Sequence, residues 1–205
     1  MTRLLIARHG NTFGVGDIVR RVGARTDLPL AESGVEQARK LGHYLAANGL
    51  EPDRVYTSEL QRARQTANYA LAASGTSGTI MPRAAFNEID YGPDENQTED
   101  QVIARIGRTG LRAWEDQGIV PPGWQVDPVQ LQNMWREFGA ELVRDMAEQT
   151  ILVVTSNGIA RFAPYLTGNY PAFLAKHKPK LATGALGVLT FANDFWTVTA
   201  WNVRP

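Results

Sequence analysis

The chain has no cysteine among its 205 residues, which excludes structural disulfides, thiolate metal sites and cysteine nucleophiles together. Histidine is scarce, three in all, so a His-rich metal centre is not expected. An excess of one charge is also missing. Lys plus Arg and Asp plus Glu both number 21, giving a formal net charge of zero. Nucleic-acid and membrane-surface proteins normally carry a basic excess, so neither partner is expected and any positive potential must be local. No apolar run approaches the ~20 residues that cross a bilayer. The N-terminus enters a strand-like run without the apolar region of a signal peptide, and the expectation is a cytoplasmic protein. No repeat or low-complexity linker divides the chain, and its length suits a single domain, residues 1–205, with a sizeable core.

What is present is an alternation of strands and helices. Strand-like runs occur at Leu4–Arg8, Arg54–Thr57, Thr79–Pro82, Ile151–Ser156, Leu186–Phe191 and Phe195–Val203. Ser33-Gly34-Val35-Glu36 reads as a capping box opening a helix to about Asn48-Gly49, with Val35, Ala38, Leu41 and Leu45 on one face. Ser58-Glu59-Leu60-Gln61 reads as a second box, for a helix to about Ala73, and Thr98-Glu99-Asp100-Gln101 as a third, for a shorter helix. Asp127-Pro128 reads as an N-cap followed by proline, leading a helix to about Glu148. This pattern predicts an α/β three-layer sandwich with a mostly parallel central sheet. Asn193-Asp194 suggests a closing hairpin that leaves the last strand antiparallel at an edge. Being rich in Trp and Val, that edge could pair with a second copy, so a homodimer is a possible assembly. Ile119–Asp127, with two prolines and Trp124, reads either as a wall or lid of a site mouth or as a connecting loop pinned to the core.

Three places carry chemistry. Arg8-His9-Gly10-Asn11-Thr12 closes the apolar run Leu4–Ala7, where the carboxyl end of a strand opens on a ligand crevice in such sheets. Arg grips phosphate through paired hydrogen bonds, and His is a nucleophile near neutral pH; alternatively, His9 merely finishes a strand. Arg62 falls in the first turn of the second helix, where the helix dipole does not favour a cation, so an anion nearby would account for it. Glu88, in Phe86-Asn87-Glu88-Ile89-Asp90-Tyr91-Gly92, would have its pKa raised beside a phosphate dianion, which suits a proton donor. Alone it is one acidic residue among many.

Together these segments resemble the histidine phosphatase superfamily, with its phosphoglycerate mutase-like fold, over nearly the whole chain. Arg8-His9-Gly10 with Thr12 is similar to the family's opening motif. Thr26-Asp27-Leu28-Pro29-Leu30, Ser33-Gly34 and Gln37-Ala38 are similar to the segment that follows it. Ser58-x-Leu60-x-Arg62-Ala63 with Thr66-Ala67 resembles the second-arginine motif, and Asn87-Glu88-x-x-Tyr91-Gly92 the proton-donor segment. The resemblance implies that His9 becomes phosphorylated while Arg8 and Arg62 hold the phosphoryl oxygens, with Asn11 and Thr12 beside them. Glu88 would protonate the leaving oxygen, and neither metal nor other cofactor is needed. The substrate would be a small phosphorylated metabolite.

The chain departs from the family after the fourth strand. A segment like Val-Thr-His-Gly-Gly-x-x-Arg is expected, but the chain has Val154-Thr155-Ser156-Asn157-Gly158-Ile159-Ala160-Arg161. Ser156 then stands where a second histidine belongs, leaving the Ser156 hydroxyl and Asn157 amide as neutral phosphate donors. A charged hydrogen bond contributes about 1.5–3 kcal/mol against about 0.5–1.5 for a neutral one, a difference of about one to two powers of ten in rate. His43 and His177 read as surface residues. Arg20, Arg21 and Arg25 are candidates for a charged substrate tail or for surface salt bridges. Ile89 follows Glu88 where mutases carry an arginine, which favours a phosphomonoesterase. A mutase-type phosphotransferase and a non-catalytic phospho-ligand binder are the alternatives.

Overall fold

A computed structural model describes residues 1–205. Six strands, β1 (Thr2–Arg8), β2 (Arg54–Thr57), β3 (Ile80–Pro82), β4 (Thr150–Thr155), β5 (Leu186–Ala192) and β6 (Phe195–Val203), form one sheet of order β3-β2-β4-β1-β5-β6. The pairs β3–β2, β2–β4 and β4–β1 are parallel. The pairs β1–β5 and β5–β6 are antiparallel. The antiparallel character therefore begins one strand earlier than the hairpin alone predicts. Asn193 and Asp194 turn that hairpin with φ of 51° and 67°, the two positive values a two-residue primed turn requires.

Successive side chains of the central strands enter opposite cores, as the period-two pleat dictates. Leu5, Ala7, Val55, Leu152 and Val154 meet α1 (Glu32–Ala47) and α2 (Gln61–Ser74) on one face. Leu4, Ile6, Tyr56, Ile151 and Val153 meet the aromatic residues of α3 (Glu99–Gln117) and α4 (Pro128–Asp145) on the other. Each fully buried aliphatic side chain contributes about 1.5–3 kcal/mol, so burial on both faces is what holds the three layers. Two short helices, α5 (Asn157–Ala160) and α6 (Tyr170–Leu174), follow β4.

Capping differs from the sequence reading at two helices. The box at Thr98 forms, with both reciprocal bonds present, and Asp127 caps α4 through Val129 and Gln130. By contrast, α1 starts at Glu32 without a side-chain cap, and Ser33 lies inside it, accepting from the Asn11 amide at 3.3 Å. At α2, Ser58 lies too early to cap; the Asp27 carboxylate arrives from a distant loop and accepts from the Gln61 N–H at 2.7 Å. The helix α3 is longer than expected, continuing past a break at Gly107 (φ 73°), and α4 ends at Asp145 rather than Glu148. Residues 119–127 are pinned: Trp124 is buried, stands edge-on to Tyr91 and donates to Asp94 at 2.7 Å. On β6, Trp196 and Trp201 face inward and are buried, so the tryptophans are absorbed by the core instead of an exposed edge. No helix is long and apolar enough to cross a membrane.

Candidate active site

The register aligns the carboxyl ends of four parallel strands: Arg8 opposite Thr155, Thr57 opposite Val154, and Thr57 opposite Pro82. The chain leaving each end supplies one part of a common site. After β1 come His9, Asn11 and Thr12; after β2 comes Arg62; after β3 comes Glu88; after β4 come Ser156, Asn157 and Arg161. Arg8, His9, Asn11, Thr12, Glu88, Asn157 and Arg161 line a cavity of about 480 Å³, while Arg62 and Ser156, both 0 % exposed, are not on its lining.

His9 is 6 % exposed, and its Nδ1 lies 2.7 Å from the Gly10 carbonyl oxygen. A carbonyl can only accept, so Nδ1 carries the proton. Burial holds the His9 pKa well below the ordinary 6.5, and the nearby Arg62 and Arg8 cations lower it further. A neutral ring protonated at Nδ1 leaves the Nε2 lone pair free.

The flanking guanidinium groups are fixed by backbone carbonyls rather than by carboxylates. Arg62 is 0 % exposed; its Nη1 donates to Thr26 O at 2.7 Å and its Nη2 to Gly23 O at 3.1 Å. Arg8 Nη1 donates to Leu181 O at 2.8 Å. The Nε atoms of both are buried without a partner, and so is the Ser156 hydroxyl. Ser156 is 0 % exposed and sits behind the cavity wall rather than on its lining, whereas Asn157 lines it with Oδ1 accepting from Leu181 N at 2.9 Å. The anions that offset the buried Arg62 are, in part, the protein's own: burial lowers its pKa, while Glu88 and Asp27 oppose that shift most.

Glu88, also 6 % exposed, accepts from its neighbour's amide (Ile89 N–H) at 3.0 Å, from Gly158 N–H at 3.2 Å and from the Tyr91 hydroxyl at 3.4 Å. Burial nevertheless raises its pKa above the ordinary carboxyl value. Gly158 allows this close approach, because a Cβ on it would overlap Glu88 Oε1 and displace the carboxyl.

The outer arginines separate. Arg20 and Arg21 line the cavity, with Arg20 Nη1 donating to Asn96 O at 3.0 Å and Arg21 paired with Glu99 at 3.1 Å. Arg25 does not; it pairs with Asp90 at 3.1 Å and donates to Gly92 O at 2.6 Å. Asn11 and Thr12 line the cavity, although Asn11 Oδ1 already accepts from Thr183 at 2.5 Å. His43 is exposed and His177 stacks on Phe173, so His9 is the only histidine on the cavity. The loop 119–127 contributes no lining residue; through Trp124 it buttresses Tyr91 and Arg21. No three His, Asp or Glu side chains converge as a metal site would require.

Two further residues belong here, one quoted in the sequence without a role and one unmarked there. Arg161 is 5 % exposed and lines the cavity. Glu95 accepts from Gly23 N–H, Arg25 N–H and the Thr26 hydroxyl at 2.7–3.1 Å, so it holds the loop whose carbonyls hold Arg62. Arg161 has a signal, as the last residue of the family-like segment Val154–Arg161; Glu95 has none, since it is defined by the distant loop it holds.

A match to the histidine phosphatase superfamily (branch 1) extends over residues 4–204. The chain belongs to that superfamily. Within it, the chain is 31 % identical over 191 residues to the 2,3-bisphosphoglycerate-dependent phosphoglycerate mutase of Azorhizobium caulinodans, covering 90 % of each. Two solved superfamily-like folds superpose over most of the chain. A mycobacterial glucosyl-3-phosphoglycerate phosphatase gives a TM-score of 0.78 at 23 % identity, covering 98 % of both chains. An alpha-ribazole phosphatase from Shigella flexneri gives 0.73 at 24 %, covering 98 % of this chain and 96 % of that one. The sheet with its antiparallel strands is thus the phosphoglycerate mutase-like fold of the superfamily.

Proposed function

We propose that this superfamily member is a phosphomonoesterase acting on a small phosphorylated metabolite through a phosphohistidine on His9. The observation that carries the reading is the state of His9: buried, neutral, protonated on Nδ1 by its bond to Gly10, and flanked by two fixed guanidinium groups. In the first step Nε2 attacks phosphorus, the bond from phosphorus to the ester oxygen breaks, and Glu88 gives that oxygen its proton. In the second step water attacks the phosphohistidine, its proton passes to the Glu88 carboxylate, and inorganic phosphate leaves with Nε2 restored. Phosphoryl transfer depends on positioning and charge stabilisation. Arg8, on the cavity lining, and the buried Arg62 are the cations assigned to that charge. Asn11, Thr12 and Asn157 would complete the phosphate shell, with Ser156 behind them in place of a second imidazole.

Sequence relatives named as mutases favour a second reading, a phosphotransferase. Against it, Ile89 follows Glu88 and no paired arginines match the mutase pattern. The test compares wild type with His9→Ala on p-nitrophenyl phosphate and a metabolite panel. Release of phosphate by wild type that falls to background in the variant is the expected result. Equal background in both, with phosphate still bound, means a ligand-binding protein. Phosphate migration on 3-phosphoglycerate that requires added 2,3-bisphosphoglycerate means a mutase.

A further inference from the structure

The cations of the cavity fall into four sets. Arg8 flanks the nucleophile. Arg20 is half-buried and donates to the Asn96 carbonyl. Arg21 and Lys180 are paired with carboxylates of the cavity itself, Glu99 at 3.1 Å and Glu115 at 3.7 Å. Arg161 belongs to none of these. It is 5 % exposed, lines the cavity and makes no ion pair. A buried guanidinium without a carboxylate is costly unless a ligand supplies the anion.

Its geometry is that of a fixed donor. Arg161 Nη2 donates to the Glu115 carbonyl at 2.5 Å, and the guanidinium lies 4.7 Å from the ring centroid of Trp114, so its plane is set before any ligand arrives. It also reaches the cavity from a wall of its own. Arg161 is anchored on α3 by the Glu115 carbonyl and the Trp114 ring, whereas Arg62 is held by Thr26 and Gly23 and Arg8 by Leu181. With Leu111, Trp114 and Glu115 beside it on the lining, its part of the cavity is the α3 wall, apart from the anchorage of the two cations that flank His9.

We infer that Arg161 is a specificity residue: it binds a second anionic group, a carboxylate or a second phosphate, carried by the leaving group of the substrate. This rests on the phosphomonoesterase reading for its orientation. The ester oxygen would then lie between Arg161's ligand and the transferring phosphorus, within reach of Glu88. Leu111 and Trp114 line the same cavity and leave room for a short carbon chain between the two anions.

The test uses two matched pairs. For turnover, phosphoglycolate is compared with ethyl phosphate, which lacks the carboxylate. For binding, 3-phosphonopropionate is compared with n-propylphosphonate by calorimetry, which needs no catalysis. Wild type should prefer the carboxylate-bearing member of each pair at least tenfold, and Arg161→Gln should lower both ratios at least tenfold. Arg161→Lys should keep part of the preference, since a point charge survives without the planar fork. A parallel pair bearing a second phosphonate distinguishes a carboxylate site from a phosphate site. Absence of any preference in wild type overturns the inference without a variant. So does a variant in which both members weaken together and the ratio stands, because that marks a structural or phosphoryl-binding role. Failure of turnover with the binding preference intact would count against the phosphomonoesterase reading and leave the anion site in place.

Discussion

At the scale of single residues the site separates into groups that act and groups that hold. His9 and Glu88 are both buried, and burial shifts them in opposite directions: it lowers the imidazole pKa and raises that of the carboxyl, disfavouring the charged form of each. The uncharged forms are those that the proposed first step consumes. Proton donation matters only when the leaving oxygen is basic, so Glu88→Gln should be selective. Turnover of alkyl phosphates should fall by about 10²–10⁴, while p-nitrophenyl phosphate, whose leaving group departs as a stable anion, should lose far less. Steady-state rates on the two substrates check this, and equal losses would assign Glu88 a role other than proton donation. The motif residues Arg8, His9, Arg62 and Glu88 were legible in the sequence because each follows a strand end. The partners that set their states were not. Gly10 O, Thr26 O, Gly23 O and Gly158 N are backbone atoms, and backbone atoms leave no signature in residue identity.

At the scale of elements, the loops do more than connect. Asp27 caps α2 from 34 positions away in sequence, and Glu95 clamps the loop from Gly23 to Thr26 through three hydrogen bonds. Hydrogen bonds to a charged acceptor contribute about 1.5–3 kcal/mol each. All three bonds end on one oxygen, Oε1, which a glutamine could supply, so the informative variant is Glu95→Ala, which removes the acceptor altogether. It should therefore lower the melting temperature and also reduce kcat/KM on any phosphomonoester by at least tenfold, because Arg62 loses the carbonyls that aim it. A lower melting temperature with unchanged kcat/KM would show that Arg62 is held independently of this loop. The same reasoning explains the two caps misplaced by sequence reading. Ser33 and Ser58 match the local capping pattern, but the N-terminus of α2 is served by a carboxylate from a remote loop and Ser33 is inside α1. Thr98 and Asp127, with no competing tertiary partner, cap as their local sequence predicts.

At the scale of the whole molecule, the buried site couples folding to pH. The raised pKa of Glu88 means that the native state holds a proton which the unfolded chain releases above about 4.5. Stability is therefore lost as pH rises through that window. For His9 the sign reverses: its native pKa is lowered, so stability is lost as pH falls below 6.5 and the unfolded chain takes up the proton. Glu88→Gln removes only the first effect. The melting temperature of the variant relative to wild type should climb as pH rises from about 4.5 and then level off; a constant difference between about pH 4 and 8 would mean that Glu88 titrates normally in the folded protein. Residue order and patterning alone determined the alternation of strands and helices, the hairpin at Asn193-Asp194 and the four motif residues, since periodicity and turn chemistry are local properties. Which guanidinium groups are buried, which carboxylates serve as props, and the presence of Arg161 on the cavity wall were decided only when parallel pairing brought four strand ends together. Burial and through-space charge act between residues far apart in the chain, so only the folded arrangement sets them.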